Sequence, residues 1–287
     1  MNLRYLIVGS SGYIGNVLLR KAKLHGDAEG TSSDKFASLR LDLLNPEEFN
    51  YTKIEKGCCV FLAAANSSPD QCANDFDKVR RLNVTGTSLF IQKVIDAGAR
   101  VIFFSSDTVY GDKNDEFDES ANCSPAGEYA QMKHEVEQIF ADNCQFKSIR
   151  LSYVFSMEDK FTTFLSDCSS QGKEVEVFHP FYRAIIHRGD VIDGVLALAD
   201  RWDEFPQRVV NFGGPEILAR TEYVKILKDL VLPELKFRTV EPDAGFFKNR
   251  PKEIKMLSPV LSSLLGRPVK TLREAVIIEF NRGSEND

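Results

Sequence analysis

The chain has 287 residues, which is too long for one small domain and too short for three. Hydrophobic residues make up 43% and charged residues 27%, close to the average of soluble globular chains, and this excludes wholesale disorder. The formal net charge of -6 excludes the cationic surface that binds nucleic acid or an anionic membrane. The expected partner is a small molecule or a protein.

Cysteine usage and the lengths of apolar runs indicate the compartment. The six cysteines form no C-x-x-C pair and are too sparse for a disulfide scaffold, so we expect reduced thiols. The apolar run from Tyr5 to Val8 is far shorter than the core of a signal peptide, and no later segment approaches the ~18 apolar residues of a membrane helix. We therefore predict a soluble, cytoplasmic protein without membrane contact.

In the first half of the chain, apolar runs of strand length alternate with segments of helical periodicity. This alternation is typical of βαβ units and a parallel sheet. The predicted strands are 5–8, 59–63, 101–104 and 146–151, and helical stripes end near Gly26 and Gly98. The predicted fold class is α/β, with a doubly wound parallel sheet of the Rossmann type.

After Phe155 the pattern is less regular. Amphipathic stretches predict helices, short apolar runs predict strands, and prolines cluster between Pro233 and Pro268; the helical stretches are 190–199 and 222–232, and the strand-like runs are 184–187 and 209–212. We predict a dinucleotide-binding domain over residues 1–155, completed by about 184–212. A smaller α/β substrate lobe is expected from 156–183 and 213–287.

Three glycines follow the first predicted strand, in Gly9-Ser-Ser-Gly12-Tyr-Ile-Gly15. Glycine permits a tight turn with positive φ, a close approach of the backbone to a diphosphate, and close packing of helix on strand. The N-terminus of the following helix offers free N–H groups to phosphates. The motif predicts a dinucleotide site, and the alternative is a glycine-rich turn without a ligand.

Tyr129 and Lys133 lie one turn apart in a predicted helix, 129–140. Ser124 is expected to cap this helix and Pro125 to lie in its first turn. A buried ammonium one turn from the phenol would lower the pKa of Tyr129, as a general acid or base near neutral pH requires. The alternative is a core tyrosine beside a lysine whose ammonium reaches solvent.

The apolar run 101–104 leads directly into Ser105, Ser106, Asp107 and Thr108. Ligands of open α/β sheets bind at the carboxyl ends of the strands, so these side chains are expected in the binding crevice. The alternative is a polar turn that ends at Gly111.

Together these motifs resemble the extended short-chain dehydrogenase/reductase superfamily, in its branch of NAD-dependent epimerases/dehydratases and nucleotide-sugar reductases. The resemblance covers nearly the whole chain. Its main motifs occur in the family's order, as Gly-x-x-Gly-x-x-Gly at 9–15, Ser-Asp-x-Val-Tyr-Gly at 106–111 and Tyr-x-x-x-Lys at 129–133. Further matches are Leu41-Asp42-Leu43, Ala63-Ala64-Ala65, Asn83-Val-Thr-Gly, Arg150-Leu-Ser-Tyr-Val and His187-Arg-Gly-Asp190-Val.

The resemblance implies roles for individual residues. Tyr129 is the expected catalytic acid/base, Lys133 holds the nicotinamide ribose and tunes Tyr129, and Ser106 hydrogen-bonds the reacting oxygen. Two such donors at a ketone oxygen would stabilise the charge that builds there during reduction. The implied cofactor-binding residues are Gly9, Ser11, Gly12, Tyr13, Ile14, Gly15, Ser32, Ser33, Lys35, Asp42, Leu43, Ala63, Ala64, Ala65, Tyr129, Lys133 and Tyr153.

The residues after Ser106 narrow the activity. Dehydratases of this superfamily carry an Asp-Glu pair where this chain has Asp107 and Thr108, and the epimerase-reductases that make GDP-fucose carry a cysteine at the place of Thr108. Ser-Asp-Thr-Val-Tyr is instead similar to the Thr-Asp-x-Val-Phe of dTDP-4-dehydrorhamnose reductases. The resemblance favours reduction of the 4-keto group of a nucleotide-linked 4-keto-6-deoxyhexose. A nucleotide-sugar 4-epimerase with tightly bound NAD and a non-catalytic NAD(P)-sensing protein stay open as alternatives.

The stretch from Glu29 to Lys35, at the end of the strand that the family's fold places after the first helix, bears on the choice of cofactor. NAD enzymes of this fold place Asp or Glu about 20 residues after the glycines. Here Thr31, Ser32 and Ser33, with Lys35 close by, suit a 2′-phosphate and favour NADP(H). NAD(H) stays open, because Asp34 would be the ribose-binding carboxylate if the strand ran longer.

Arg183 and Arg250 are the candidates for the diphosphate of a nucleotide sugar, because guanidinium groups bind phosphate oxygens through paired N–H groups. The alternative for each is a surface ion pair. Asp107 and Thr108 are expected to contact the sugar. The four histidines show no ligand spacing, so no metal is predicted. A homodimer formed by two helices of each subunit is common in the superfamily and is consistent with the resemblance.

Overall fold

The computed structural model describes residues 4–67, 72, 74–113, 115–243 and 245–284. Its strands are β1 Tyr5–Val8, β2 Ala28–Thr31, β3 Cys59–Leu62, β4 Arg100–Ser106, β5 Glu116–Phe117, β6 Phe146–Leu151, β7 Val154–Phe155, β8 Glu174–Phe178, β9 Tyr182–Ala184, β10 Ile186–His187, β11 Val209–Phe212, β12 Ile217–Ala219, β13 Lys236–Val240 and β14 Lys255–Met256. Its α-helices are α1 Gly15–His25, α2 Phe76–Arg80, α3 Thr87–Asp96, α4 Glu128–Ile139, α5 Lys160–Ser170, α6 Arg188–Asp200, α7 Arg220–Leu230, α8 Leu261–Leu265 and α9 Leu272–Ser284.

The central sheet has six strands in the order β11-β6-β4-β3-β1-β2, and every neighbouring pair is parallel. Tyr5 of β1 is in register with Ala28 of β2 on one side and with Cys59 of β3 on the other. The chain order reverses direction at β1, so a crevice opens at the carboxyl ends of β1 and β3. The predicted α/β class with a doubly wound parallel sheet is confirmed.

Alternate residues of β1 supply the two faces of this sheet, as the period of two in a strand requires. Tyr5 and Ile7 belong to one apolar cluster, which includes residues of α1 and α6. Leu6 and Val8 belong to the other, which includes residues of α3 and α4. All four side chains are buried, because helices cover both faces of the sheet.

A third apolar cluster joins β8 to helices α5, α7 and α9, through Leu165, Val175, Tyr223 and Val276 among others. Two strand pairs accompany it: β13 beside β8 in parallel, and β12 beside β9 in antiparallel orientation. We call this region, formed by α5, α7, α9, β8, β9, β12 and β13, the second lobe. The predicted domain boundaries stay a prediction.

Two local expectations were wrong. Helix α4 begins at Glu128, with Gly127 before it at φ +81°, instead of being capped by Ser124. Ser124 is held elsewhere, because its N–H donates to the Val109 carbonyl oxygen at 2.9 Å. The predicted run 184–187 is also two strands in separate pairs, since β9 pairs with β12 and β10 pairs with β7.

Within the segment 184–212, helix α6 packs on the central sheet and strand β11 extends it. Strand β11 is its edge strand, with Val209 opposite Ser148 of β6. Within the described ranges, no helix combines the length and apolar character that a bilayer crossing requires.

Candidate active site

The loop between β1 and α1 folds tightly because of its glycines. Gly9 has φ +87°, a region that favours glycine, and the Gly12 N–H donates to the Gly9 carbonyl oxygen at 3.0 Å. A Cβ on Gly15 would lie 2.1 Å from that same oxygen, and a Cβ on Gly9 would lie 2.9 Å from the backbone of Ala64. The absence of these Cβ atoms therefore lets the loop pack directly on Ala64 and on its own backbone, which brings the N-terminus of α1 close to the end of β1.

A cleft of about 1070 Å³ lies at the carboxyl ends of β1, β2 and β3. It contains ten of the residues predicted to bind a cofactor. These are Gly9, Ser11, Gly12, Ser32, Ser33, Asp42, Leu43, Ala63, Ala64 and Ala65. The structure thus brings together segments that are up to 56 residues apart in the chain, as expected for a dinucleotide site at the reversal of the sheet.

Other predicted cofactor residues lie outside the lining of this cleft. Ile14 and Gly15 begin helix α1. Tyr13 lines an adjoining cavity of about 320 Å³, and its hydroxyl donates to Ser156 Oγ at 2.8 Å. Lys35 Nζ lies 4.9 Å from the centre of the Phe36 ring. The lysine therefore stacks on its neighbour and does not extend into the cleft.

Tyr153 is held in the second lobe. Its hydroxyl donates to Asp159 Oδ1 at 2.6 Å, and burial raises its pKa. It lines a small cavity with Arg183 instead of the cofactor cleft.

Sequence reasoning missed Lys160, which lines the cofactor cleft at the start of α5. Asp159 caps this helix, accepting from the N–H groups of Phe161 and Thr162 at 2.9 and 3.0 Å. An aspartate before an amphipathic run is a helix-start signal in the sequence. Nothing in the neighbouring residues, however, shows that this helix begins at the cofactor cleft. Thr31, named above among the hydroxyls that favour NADP(H), also lines the cleft. Other lining residues that no prediction assigned to the cofactor are Val8, Leu41, Leu44, Asn66, Ser67 and Leu82.

Lys133 is buried on α4, with 3% of its surface exposed. Its ammonium donates to the Phe104 carbonyl oxygen at 2.6 Å and lies 4.4 Å from the centre of the Phe103 ring. Burial lowers the pKa of Lys133 to about 7. The lysine is therefore fixed against the end of β4, two residues before Ser106.

The prediction that Lys133 lowers the pKa of Tyr129 was wrong. Burial raises the pKa of Tyr129, and Cys72 and Asp107 act in the same direction. Lys133 Nζ lies 5.9 Å from the centre of the Tyr129 ring, while its hydrogen bond goes to the Phe104 carbonyl oxygen. The ammonium is thus fixed by the strand and does not offset the burial of the phenol.

Ser106 ends β4 within a small hydroxyl network. The Thr108 hydroxyl donates to Ser106 Oγ at 2.9 Å, and the Thr108 N–H donates to the same oxygen at 3.2 Å. Ser106 Oγ in turn donates to Asp107 Oδ1 at 3.3 Å. Because Thr108 donates to Ser106 Oγ, it orients the serine hydroxyl. As a threonine it supplies no second carboxylate next to Asp107.

Asp107 connects this network to the second lobe. It is buried, its Oδ2 accepts from Ser152 Oγ at 2.8 Å, and Arg183 Nε lies 3.7 Å away. Burial raises the pKa of Asp107, and the Arg183 guanidinium opposes this shift. The carboxylate is therefore linked to Arg183, one of the two arginines that the sequence assigns to a substrate.

Arg250 is only partly buried. Its Nη1 donates to the Phe246 carbonyl oxygen at 3.4 Å, and its guanidinium carbon lies 5.1 Å from the centre of the Phe246 ring. The next residue, Pro251, accepts from Arg183 Nη2 at 2.8 Å. The two predicted arginines thus come from adjacent segments of the fold.

The fold also gathers three side chains that have the composition of a metal site: Cys123, His134 and Glu137, whose ligand atoms lie within 4.8 Å of one another. Glu137 is engaged elsewhere, because it accepts from Arg150 Nη2 at 2.7 Å and from Ser148 Oγ at 3.0 Å. Burial alone would raise the pKa of Glu137, but the nearby His134 ring, 3.6 Å away, and the hydrogen-bonded Arg150 guanidinium hold it at about 2. A buried guanidinium on this carboxylate opposes a bound cation, so we assign no metal.

Comparison with known proteins identifies one matching family model and many solved structures with the same fold. The family model described as the RmlD substrate binding domain matches residues 3–277. UDP-glucuronic acid decarboxylase 3 of Arabidopsis thaliana is 23% identical, covering 96% of this chain and 87% of its own length.

Two solved structures illustrate the likeness in fold. The dTDP-4-dehydrorhamnose reductase of Bacillus anthracis, in complex with NADP, matches with a TM-score of 0.80 and 18% identity, over 98% of this chain and 100% of that chain. MoeE5, in complex with UDP-glucuronic acid and NAD, matches with a TM-score of 0.79 and 22% identity, over 98% and 99%. Both share the Rossmann-type architecture described above.

Proposed function

The chain belongs to the RmlD substrate-binding domain family, and on this premise we propose that it reduces the 4-keto group of a nucleotide-linked 4-keto-6-deoxyhexose with NADP(H). The predicted superfamily and the predicted class of NAD(P)-dependent enzyme are confirmed by the family match. The substrate, the direction of the reaction and the residue roles are the proposal.

The observation that carries the proposal is the hydroxyl network at the end of β4. Thr108 donates to Ser106 Oγ at 2.9 Å, where a dehydratase would need a second carboxylate beside Asp107. The site therefore offers the Ser106 hydroxyl, which would turn from Asp107 Oδ1 to a ketone oxygen, and it has a threonine in place of the second carboxylate that elimination of water requires. Of these two groups, a reductase needs only the hydroxyl.

The glycine loop supports a dinucleotide cofactor, because Gly9 and Gly12 line the cleft and the tight turn that places them there requires a positive φ at Gly9 and close backbone packing at Gly15. Gly9, Gly12 and the start of α1 would hold the diphosphate, and Ser32 with Ser33 would face the adenosine ribose. When bound, the nicotinamide supplies hydride. Relatives of this fold hold NADP or NAD, and hydroxyls at the end of β2 favour NADP(H) here.

In the proposed reaction, Ser106 Oγ hydrogen-bonds the ketone oxygen, and Tyr129 delivers the proton to it as charge develops. A raised pKa keeps the Tyr129 phenol protonated at neutral pH, which is the form that a proton donor needs. Lys133 is fixed beneath this region by the Phe104 carbonyl oxygen, from where it would hold the nicotinamide ribose.

The substrate class draws on the relatives, of which two are named as a UDP-glucuronic acid decarboxylase and a dTDP-4-dehydrorhamnose reductase, and a third, MoeE5, was solved in complex with UDP-glucuronic acid. Arg250 is the proposed group for the diphosphate, and Asp107 and Thr108 are the proposed contacts of the sugar. The predicted role of Arg183 at the diphosphate is not carried forward, because three carbonyl oxygens already accept from its guanidinium. A homodimer also stays a proposal.

A test of the reductase is oxidation of NADPH with a panel of 4-keto-6-deoxy sugars linked to dTDP, GDP, UDP or CDP. We expect stoichiometric loss of NADPH with one sugar of this panel. Interconversion of two nucleotide sugars without net loss of NADPH, by a protein purified with bound NAD, would instead establish the 4-epimerase. A protein that binds NADP(H) and turns over no sugar would be the non-catalytic sensor, against which the intact Ser106, Tyr129 and Lys133 argue.

A further inference from the structure

Two arginines of the second lobe, Arg183 and Arg220, line one small cavity. Their guanidinium carbons lie 4.4 and 4.5 Å from the centre of the same ring, that of Phe181. Like charges placed together in an aromatic surrounding repel each other and lose hydration, so each requires compensation. The two arginines differ in the hydrogen-bond and ion-pair partners of their guanidinium groups.

Arg183 has its donors occupied within the protein. Nη1 donates to the Tyr182 carbonyl oxygen at 2.6 Å and to that of Lys252 at 3.4 Å, and Nη2 donates to that of Pro251 at 2.8 Å. The remaining nitrogen, Nε, lies 3.7 Å from Asp107 Oδ2. Arg183 therefore joins the loop around Pro251 to the end of β4, with little of its donor capacity left for a ligand.

Arg220 has no such partner. In the described part of the chain, no hydrogen bond or ion pair engages its guanidinium, which stacks on the rings of Phe161 and Phe181 at 4.4 and 4.5 Å. Burial lowers the pKa of Arg220. Asp159 is already occupied, because it accepts from the Tyr153 hydroxyl and from the N–H groups that it caps.

The neighbours of Arg220 connect it to the cofactor cleft and to the end of β4. Phe161, on which it stacks, follows Lys160, and Lys160 lines the cofactor cleft. Arg183, in the same cavity, reaches the carboxylate next to Ser106. The cavity itself is about 20 Å³, which accommodates roughly one water-sized group. A ligand would thus place one oxygen atom of an anionic group in this cavity, with the rest of that group at the mouth of the cavity or beyond it.

We infer that Arg220 receives an oxyanion of the substrate and is the arginine that selects for it, while Arg183 positions the surrounding loop. A planar guanidinium with open N–H groups binds phosphate or carboxylate oxygens in pairs, and its aromatic neighbours keep it oriented. The oxyanion is the diphosphate of the nucleotide or a carboxylate on the sugar. This inference rests on the proposed action on a nucleotide sugar, but not on reduction as the reaction.

The test is a binding measurement that requires no turnover. Calorimetric titration of the NADP(H)-loaded protein with UDP, dTDP, GDP and CDP would be performed on the wild type, Arg220→Gln and Arg220→Lys. We expect Arg220→Gln to weaken binding of the preferred nucleoside diphosphate about tenfold to a hundredfold. Arg220→Lys should recover part of the affinity, because it restores the charge without the paired donors.

The matched control is Arg201→Gln. Arg201 also stacks on a phenylalanine, Phe205, at 4.7 Å, but it is paired with Glu204 at 2.7 Å on the surface. This variant should bind every nucleotide as the wild type does. Thermal unfolding of all variants, together with NADP(H) affinity, shows that each is folded.

Comparison of UDP-glucose with UDP-glucuronic acid separates the two sources of the oxyanion. Loss of affinity for the diphosphates assigns Arg220 to the diphosphate, and loss confined to the acidic sugar assigns it to a carboxylate. The inference is overturned if Arg220→Gln binds all these ligands as tightly as the wild type, or if the wild type binds none of them. Failure of the NADPH assay alone would refute the reductase and leave the role of Arg220 standing.

Discussion

The cofactor cleft and the cavity of the second lobe offer anions two different kinds of hydrogen-bond donor. At the cleft the donors are backbone N–H groups of the turn between β1 and α1, which folds tightly because Gly9 and Gly15 lack side chains. In the second lobe the donors are arginine side chains, oriented by the rings of Phe161 and Phe181. A backbone site depends on a short local motif, whereas a side-chain site depends on segments that meet only in the folded chain.

Among the predictions, Tyr129→Phe has the largest expected effect. It should impair the chemical step and leave binding at both the cofactor cleft and the second-lobe cavity intact. The variant loses the proton donor, so we expect turnover to fall by about 10²- to 10⁴-fold. Affinity for NADP(H) and for nucleoside diphosphates should stay near that of the wild type. The measurements are the NADPH assay and the same titrations.

Tyr51→Phe is the control for this variant, because the Tyr51 hydroxyl donates to the Pro46 carbonyl oxygen away from the cleft lining. It should keep its turnover. A Tyr129→Phe variant with the turnover of the wild type would remove the proposed role of this tyrosine.

The difference between the two regions also explains what sequence reasoning could reach. Gly9, Gly12 and Ser106 were found because strand ends and glycine spacing are local signals, and the sheet then brings them to one edge. Lys160 was missed because its place at the cleft depends on how α5 packs, which no adjacent residue indicates.

The roles inside the second lobe were equally out of reach. Sequence reasoning assigned a substrate role to Arg183, yet the donors of Arg183 are occupied by three carbonyl groups from residues 182, 251 and 252. The direction of the Tyr129 pKa also depended on a tertiary contact, the hydrogen bond of Lys133 to the Phe104 carbonyl oxygen. Spacing along a helix shows which residues share a face, but not which acceptor a buried ammonium chooses.

Gly15→Ala should weaken the backbone site without affecting the arginine site. The added Cβ would lie 2.1 Å from the Gly9 carbonyl oxygen, so the loop must shift. Strain of about 1–3 kcal/mol at such a position predicts a loss of NADP(H) affinity of about tenfold to a hundredfold. Titration with nucleoside diphosphates should be unchanged.

Gly172→Ala is the matched control, since its Cβ would meet nothing within 4 Å although φ is +64°. It should lower the stability by about 1 kcal/mol and leave NADP(H) affinity intact. Equal cofactor affinity in Gly15→Ala and the wild type would contradict the assignment of this loop to the dinucleotide.

The last prediction concerns Lys133, which lies on the sheet side of the comparison. Among the described residues its ammonium donates to a carbonyl oxygen and to no carboxylate. Its pKa is about 7 in the folded protein against an ordinary value of 10.5, so the unfolded chain binds more protons between these values. The free energy of unfolding should therefore rise with pH over this window, by at most about 1.4 kcal/mol per pH unit from this group. Lys133→Met should reduce that slope in urea unfolding of the cofactor-free protein between pH 6.5 and 9.5, and the surface variant Lys93→Met should keep it. An unchanged slope in Lys133→Met would mean that Lys133 stays protonated when buried, and the ammonium would then be available to stabilise a Tyr129 phenolate after all.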